Sequence, residues 1–226
     1  EAMATRPSTD PPREGAPPCP RCAARTREWV YAYDRTGGPE HAIRRCTVCG
    51  IGFTSPPPRE VPAAPTRLPA GGPLRAFADH IIRCELAPLT TTVAPVAAVL
   101  DVGAGGGDRA LVLARAGYGV TAVEPDPGEA ARARAQLDGT AELLTTTIQD
   151  LPAHATGYDV ALLSHALEHI PEPDHALRLI RERLRPGGAI AIMVPNAGGL
   201  QAQILGGRWH QWEPSRHRWH LTRDVL

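Results

Sequence analysis

Four of the five cysteines stand in two Cys-x-x-Cys pairs, Cys19-Pro20-Arg21-Cys22 and Cys46-Thr47-Val48-Cys49. Thiolates at that spacing are metal ligands, because two knuckles at hairpin ends can set four sulfurs tetrahedrally around Zn²⁺. In a reducing compartment such pairs favour metal over disulfides. The expectation is a structural zinc on Cys19, Cys22, Cys46 and Cys49, in a cytoplasmic protein. A second stretch able to do chemistry is Val99-Leu100-Asp101-Val102-Gly103-Ala104-Gly105-Gly106-Gly107. Apolar β-formers lead into an acid, then glycines, then the helical pattern Ala110–Ala114. A strand, a tight turn and a helix N-terminus let bare backbone approach a ligand, where a Cβ would block the turn or the contact. A dinucleotide-binding Gly-x-Gly-x-x-Gly would want glycine at position 108, where Asp108 stands. Glu124 ends the next apolar run, and its carboxylate offers two acceptors to two neighbouring hydroxyls. The plainer reading of Glu124 is a solvated acid ahead of a helix.

The third cluster is Ser164-His165-Ala166-Leu167-Glu168-His169, with further histidines between Trp209 and His220. His165 directly follows a strand, so its imidazole is expected to reach the ligand cleft as a general base. His217 is the reserve for that role. His165 and His169 share a face if their stretch is helical. Glu168 and His169 could orient a base, hold a metal ion, or cap and pack the loop. The Trp and His residues from Trp209 to His220 could line an aromatic acceptor pocket or form core. Arg178, Arg181, Arg183 and Arg185 follow helical spacing and read as a solvated face.

These residues need a frame. Residues 1–18 are rich in proline, charge and small residues and are expected to be disordered. Residues 19–54 form a ribbon, with strands over Trp29–Tyr33 and Ala42–Arg45 joined by a turn at Gly37-Gly38. So small a unit has too little core, so metal would supply much of its folding energy. Residues 55–73 are a stiff proline-rich connector. Residues 74–226 form the larger domain. It opens with a helix whose apolar face is Leu74, Phe77, Ala78, Ile81 and Ile82. Strands Ala97–Val102, Val120–Val123, Ala141–Thr146, Tyr158–Leu163 and Ala189–Val194 then alternate with helices Asp108–Ala116, Gly128–Leu137, a short piece at Ala166–His169, and His175–Leu184. That alternation predicts an α/β fold, a parallel sheet with helices on both faces and the ligand at the carboxyl ends of its strands.

Composition narrows the partners. Lys and Arg number 24, as do Asp and Glu, so the net charge is zero, which argues against a nucleic-acid partner. No apolar run approaches the ~20 residues of a membrane span, and no basic segment followed by an apolar core marks a signal peptide.

Taken together, the motifs resemble the class I S-adenosylmethionine (SAM) methyltransferases, whose Rossmann-like sheet carries an acid and then Gly-x-Gly-x-Gly after its first strand. Asp101, Gly103, Ala104, Gly105 and Gly107 match that motif. The resemblance implies that Glu124 and Pro125 meet the ribose, and that Thr147-Ile148-Gln149-Asp150 contacts the adenine. Many relatives carry an acid where Thr147 stands, so Gln149 or Asp150 is an alternative source of the adenine contact. Ser164-His165-Ala166-Leu167-Glu168-His169-Ile170-Pro171 is similar to a signature of the bacterial ubiquinone-type O-methyltransferases, some of which use an acid/His pair there for a divalent cation. Leu184-Arg185-Pro186-Gly187-Gly188 is similar to the turn before the fifth strand, and the Trp-rich segment Trp209–Thr222 and the Cys-x-x-Cys ribbon also occur in that group.

The resemblance implies SAM as cofactor, Ser164 beside it, His165, His169 and His217 near the reacting atoms, and a small-molecule acceptor at oxygen or carbon. Such proteins normally finish with a helix and an antiparallel strand pair, whereas here Thr222–Val225 looks like a capped helix just starting. The expectation is a further C-terminal segment, or a second copy of the chain, over the fifth strand's edge. Two other functions fit parts of the sequence: an RNA methyltransferase docking through its ribbon, and a SAM-binding module without turnover.

Overall fold

A computed structural model of the chain describes residues 16–33, 41–58, 71–92, 94 and 97–226. Expectations for residues 1–15, for the Gly37-Gly38 turn and for most of the connector fall outside them. The described residues divide into two compact units. A sheet unit holds those from 71 to Ala166 together with Glu172–Met193, and a ribbon unit holds those up to 58 together with Leu167–Pro171 and Val194–Leu226.

In the ribbon unit, β1 (Thr26–Ala32), β2 (His41–Cys46) and β3 (Gly52–Ser55) form an antiparallel meander. A fourth strand, β9 (Trp219–His220), pairs on β3, with Gly52 opposite His220 and Phe53 opposite Trp219. The sequence reading assigned residues 194–226 to the larger domain, whereas here that segment completes the ribbon's sheet. Gly52 makes this possible, because a Cβ there would lie 2.6 Å from the Trp29 ring and 2.8 Å from the His220 carbonyl. Ala32, Ile43, Ala197, Ala202, Trp209 and Trp212 form a buried cluster, with Trp29 and Val30 packed against it. Trp212 meets Trp29 and Trp209 edge-on, with ring centroids 5.5 and 5.2 Å apart. Of the two readings of the Trp-rich segment, its tryptophans therefore serve as core, beneath the ribbon's own sheet.

In the sheet unit, β4 (Ala98–Val102), β5 (Gly119–Val123), β6 (Glu142–Leu144), β7 (Tyr158–Ser164) and β8 (Leu184–Met193) form a parallel sheet in the order β6-β5-β4-β7-β8. Every residue of β7 is buried, as a strand covered on both faces must be. The crossing helices are α2 (Asp108–Arg115), α3 (Pro127–Leu137) and α4 (Pro173–Arg183), with α1 (Gly72–Thr92) leading in. Strand order runs one way from β4 to β6 and reverses at β7, so right-handed crossovers put α2 and α3 on the opposite face from α4. The core joins Ile82 and Leu86 of α1 to Leu111 and Leu113 of α2, Leu137 of α3 and the strand residues Val99, Val120 and Leu162. Among the described residues no strand pairs with the outer side of β8.

Three local expectations are corrected. Leu167–His169 form a turn rather than a helix, closed by Ile170 N–H donating to the Leu167 carbonyl, and His165 just before it has left-handed backbone (φ 53°). Leu184–Gly188 lie within β8, as an irregularity between the Tyr158–Leu184 and Val160–Ala189 pairs. Arg183 and Arg185 are not merely solvated. Arg183 donates to the carbonyls of Pro152 and Leu151, and Arg185 pairs with Asp159. The Thr222 side chain caps nothing among the described residues, although one turn forms through Val225 and Leu226 N–H donating to the Thr222 carbonyl.

Candidate functional site

The reversal of strand order between β4 and β7 leaves a crevice at their carboxyl ends, the usual ligand position in such sheets. The glycine loop starts there. Gly103 and Ala104 N–H both donate to the Val123 carbonyl, at 2.8 and 3.0 Å, pinning the loop to the end of β5. Gly103, Gly105 and Gly107 all have positive φ, 73°, 55° and 82°, which explains glycine at alternate positions. A Cβ on Gly103 would fall 2.7 Å from the Ala166 Cβ, and one on Gly107 3.3 Å from the Ala133 backbone. Gly107 thereby lets α2 start against α3.

Glu124 lies beneath this loop and is only 7% exposed, which excludes the reading of a solvated acid. One of its carboxylate oxygens accepts from Gly105 N–H at 2.7 Å and the other from Asp126 N–H at 2.9 Å. An ionised carboxylate has about four acceptor sites, so each oxygen keeps one for another donor. Burial pushes the Glu124 carboxyl up, partly offset by those two N–H groups. Asp101, on β4 and 2% exposed, is raised further, to about 7, chiefly by burial and only partly offset by Arg109. Its Oδ2 and the Ser164 hydroxyl are buried with no hydrogen-bond partner among the described residues. Asp101 pairs in register with Leu162, so Asp101 and Ser164 point to the same face of adjacent strands. Two unsatisfied buried polar groups at the crevice, together with a loop closed to any Cβ, fit a polar ligand such as SAM.

Pro125 is exposed beside Glu124. In the expected adenine loop, Ile148 is buried, and the Thr147 hydroxyl donates to Asp150 at 2.7 Å while Gln149 stays exposed. His165 is exposed at the end of β7, its N–H donating to the Met193 carbonyl. His169 and His217 fall in the ribbon unit. There His217 is 4% exposed, with its imidazole pushed down to about 4 by burial and by the neighbouring His169. Sequence reasoning missed a polar chain in that unit. Thr54 donates to the His217 carbonyl at 2.7 Å and therefore accepts from His220 Nε2–H at 2.8 Å. It also missed Arg132, held by Glu129 at 2.6 Å and lying where any Cβ on Gly106 would go. The Thr54–His217–His220 chain has no local sequence signal, because it depends on which elements pack together, whereas Glu129 and Arg132 stand three apart on α3, a spacing the sequence does show.

The four thiols gather in the ribbon unit within 4.8 Å of one another. Cys19 and Cys49 sulfurs are 3.7 Å apart, and those of Cys22 and Cys46 3.5 Å. Four Zn–S bonds of ~2.3 Å in a tetrahedron give edges of ~3.8 Å, whereas a disulfide needs ~2.05 Å. Burial raises the Cys46 thiol, but the N–H groups of Val48 and Cys49 aimed at its sulfur, together with the Cys49 and Cys22 thiols, outweigh that and bring it to about 6. Burial and the neighbouring thiols push Cys49 up to about 12. Four sulfurs at these separations suit a dication, which would hold all four as thiolates.

The chain is thus built as a class I SAM-dependent methyltransferase domain carrying a ribbon. Residues 75–226 match the family described as Methyltransferase domain, and the chain belongs to that family. It is 33% identical over 137 residues to a ubiquinone biosynthesis O-methyltransferase of Cereibacter sphaeroides, covering 57% of this chain and 56% of that protein. It is 37% identical over 150 residues to the protein of the same name from Marinobacter nauticus, covering 56% and 62%. The chain thus spans little more than half the length of these relatives. Among solved structures it resembles the plantazolicin methyltransferase BpumL, with TM-score 0.47, 17% identity and coverage of 69% of this chain and 67% of that one. No described helix is long and apolar enough to cross a membrane.

Proposed function

We propose that this chain transfers the SAM methyl group to a small-molecule acceptor, most readily a hydroxyl oxygen, with zinc structural in its ribbon. The observation that carries this is the Gly103–Gly107 loop with Glu124 bonded beneath it. In this reading the ribose hydroxyls take the remaining acceptor sites of Glu124, and Pro125 borders them. Asp101 is the counter-charge for the cationic methionyl end, with Ser164 beside it, and Thr147–Asp150 flank the adenine. The matched relatives bear the name O-methyltransferase, which favours oxygen over carbon.

The acceptor oxygen attacks the methyl carbon as the S–CH₃ bond breaks, leaving S-adenosylhomocysteine, and the acceptor's proton passes to His165. A phenol with pKa ~10 is mostly neutral at pH 7, so an imidazole nearby is worth roughly 10²–10⁴ in rate. His169 and His217 are left to organise the ribbon unit. The setting is the cytoplasm, where thiols remain free to hold zinc. The test is incubation with methyl-labelled SAM and a metabolite extract, read by mass spectrometry. A labelled, methylated product that His165→Gln diminishes at least tenfold is expected. Absence of any labelled product from a chain that binds SAM would overturn the reading.

A further inference from the structure

Gly103, Gly105 and Gly107 are glycines because their φ is positive, but Gly106 lies outside that region of backbone. What excludes a side chain at position 106 is Arg132. A Cβ there would overlap the Arg132 Nη2 and lie 3.0 Å from its Cζ and 3.5 Å from its Nε, so the guanidinium covers the loop at Gly106. We propose that Arg132 is a positioning residue for SAM, which holds Gly105–Gly107 in the shape that receives the cofactor. This rests on the reading of that loop as the SAM site.

The helix α3 meets the loop residue by residue. A Cβ on Gly105 would lie 3.9 Å from Glu129 Oε2, one on Gly106 would meet Arg132, and one on Gly107 would lie 3.2 Å from the Ala133 Cβ. Positions 129, 132 and 133 share a helix face, and the buried Ala130 and Ala133 are small enough to let that helix lie close. A guanidinium ends a long side chain and would ordinarily swing away from a methyl group at little cost. This one is held, because both Glu129 oxygens accept from its Nη1, at 2.6 and 2.7 Å. Glu129 is itself buried, and its N–H donates to Oδ1 of Asp126, the cap of α3, at 2.8 Å. Asp126 N–H donates in turn to Glu124, whose other oxygen accepts from Gly105 N–H. One connected scaffold therefore bonds the loop at Gly105 and covers it at Gly106. Fixing a glycine-rich loop before the ligand arrives removes an ordering cost from binding.

The test is calorimetric titration with SAM of the full chain as wild type, Gly106→Ala, Arg132→Ala and the double variant, beside melting curves. Arg132→Ala is expected to weaken binding about fivefold or more by freeing the loop, and Gly106→Ala to do the same by pushing the guanidinium off it. The double variant should bind no more weakly than Arg132→Ala alone, because its new methyl group then meets nothing. Should Gly106→Ala unfold, folding of the double variant carries the same conclusion, and failure of both to fold would overturn it. A folded Arg132→Ala with wild-type affinity and a lower melting temperature would overturn the proposal in favour of a role in stability alone. A Gly106→Ala penalty of equal size with and without Arg132, or none in either, would overturn it too. No SAM binding by the wild type is a separate result, and it would overturn the reading of the loop itself.

Discussion

The interior of the sheet unit is aliphatic: Val99, Leu100, Leu113, Leu162 and Leu163 are each wholly buried. The ribbon unit instead buries Trp209, Trp212, Trp219, His217, His220 and Thr54, and gathers four thiols at one end. The first is made from two stretches of chain, the second from three. A long, nearly continuous α/β chain closes most of its core by packing aliphatic side chains, with Asp101, Glu124 and Ser164 buried at the candidate site. A short ribbon cannot close its core in that way, and recruits a distant segment, polar chains and metal ligands in place of area. The glycine loop belongs to the sheet unit, and the four thiols to the ribbon unit.

The largest way to break this contrast is to take away the zinc that we propose the four thiols hold. Structural zinc carries an apparent binding energy of ~10–16 kcal/mol in comparable small sites. Cys46→Ser, or a strong chelator, should therefore unfold the ribbon unit. Trp29, Trp209 and Trp212 would report this as red-shifted emission, while circular dichroism from the sheet unit's helices persists. Emission unchanged after complete zinc removal would mean that the ribbon's core suffices without metal.

The next effect belongs to the sheet unit and to pH. Asp101 titrates at about 7 in the fold against 3.8 ordinarily, because burial favours its neutral form. The folded state therefore holds a proton that the unfolded state releases. Stability from this group is full below about pH 4 and declines as pH rises to about 7, by roughly 4 kcal/mol, then stays level. Urea titrations from pH 4 to 8 should show that slope in the wild type relative to Asp101→Asn. Parallel profiles would mean that Asp101 stays charged throughout. Bound SAM should reverse part of the loss by supplying a counter-charge.

Backbone substitutions sharpen the contrast further. Gly103→Ala places a Cβ against Ala166 in left-handed backbone, at a cost of ~1–3 kcal/mol from strain and overpacking. Gly139→Ala has the same sign of φ but nothing within 4 Å, so only the conformational cost of ~1 kcal/mol remains. Equal melting temperatures for the two would deny the close approach. In the ribbon unit, Thr54→Val removes the donor to the His217 carbonyl and the acceptor for His220 at nearly constant volume. It should cost ~1–3 kcal/mol in urea.

The parts of the fold that were legible in the sequence are those made by neighbours in the chain. Asp101 through Gly107 encode strand, turn and helix start within a few residues, and the structure has each where the pattern puts it. The two Cys-x-x-Cys pairs were legible because ligand spacing is local. The pairing of Trp219 with Phe53 joins residues far apart in sequence, and a two-residue strand carries no period to detect. The short helix expected at Ala166–His169 is a turn instead, and so short a stretch carries no period that could tell the two apart. The burial of Glu124 was likewise invisible, since an acid before a helix has the same sequence whether solvated or sealed beneath a loop.

The most direct test of the cofactor site is calorimetric titration of the full chain with SAM, beside Glu124→Ala, with melting curves showing both proteins folded. Glu124 is assigned two charge-assisted hydrogen bonds to the ribose, each worth ~1.5–3 kcal/mol. The account predicts one SAM bound per wild-type chain and at least tenfold weaker binding in the variant. Equal affinity in the two proteins, or no SAM binding by the wild type, would contradict it.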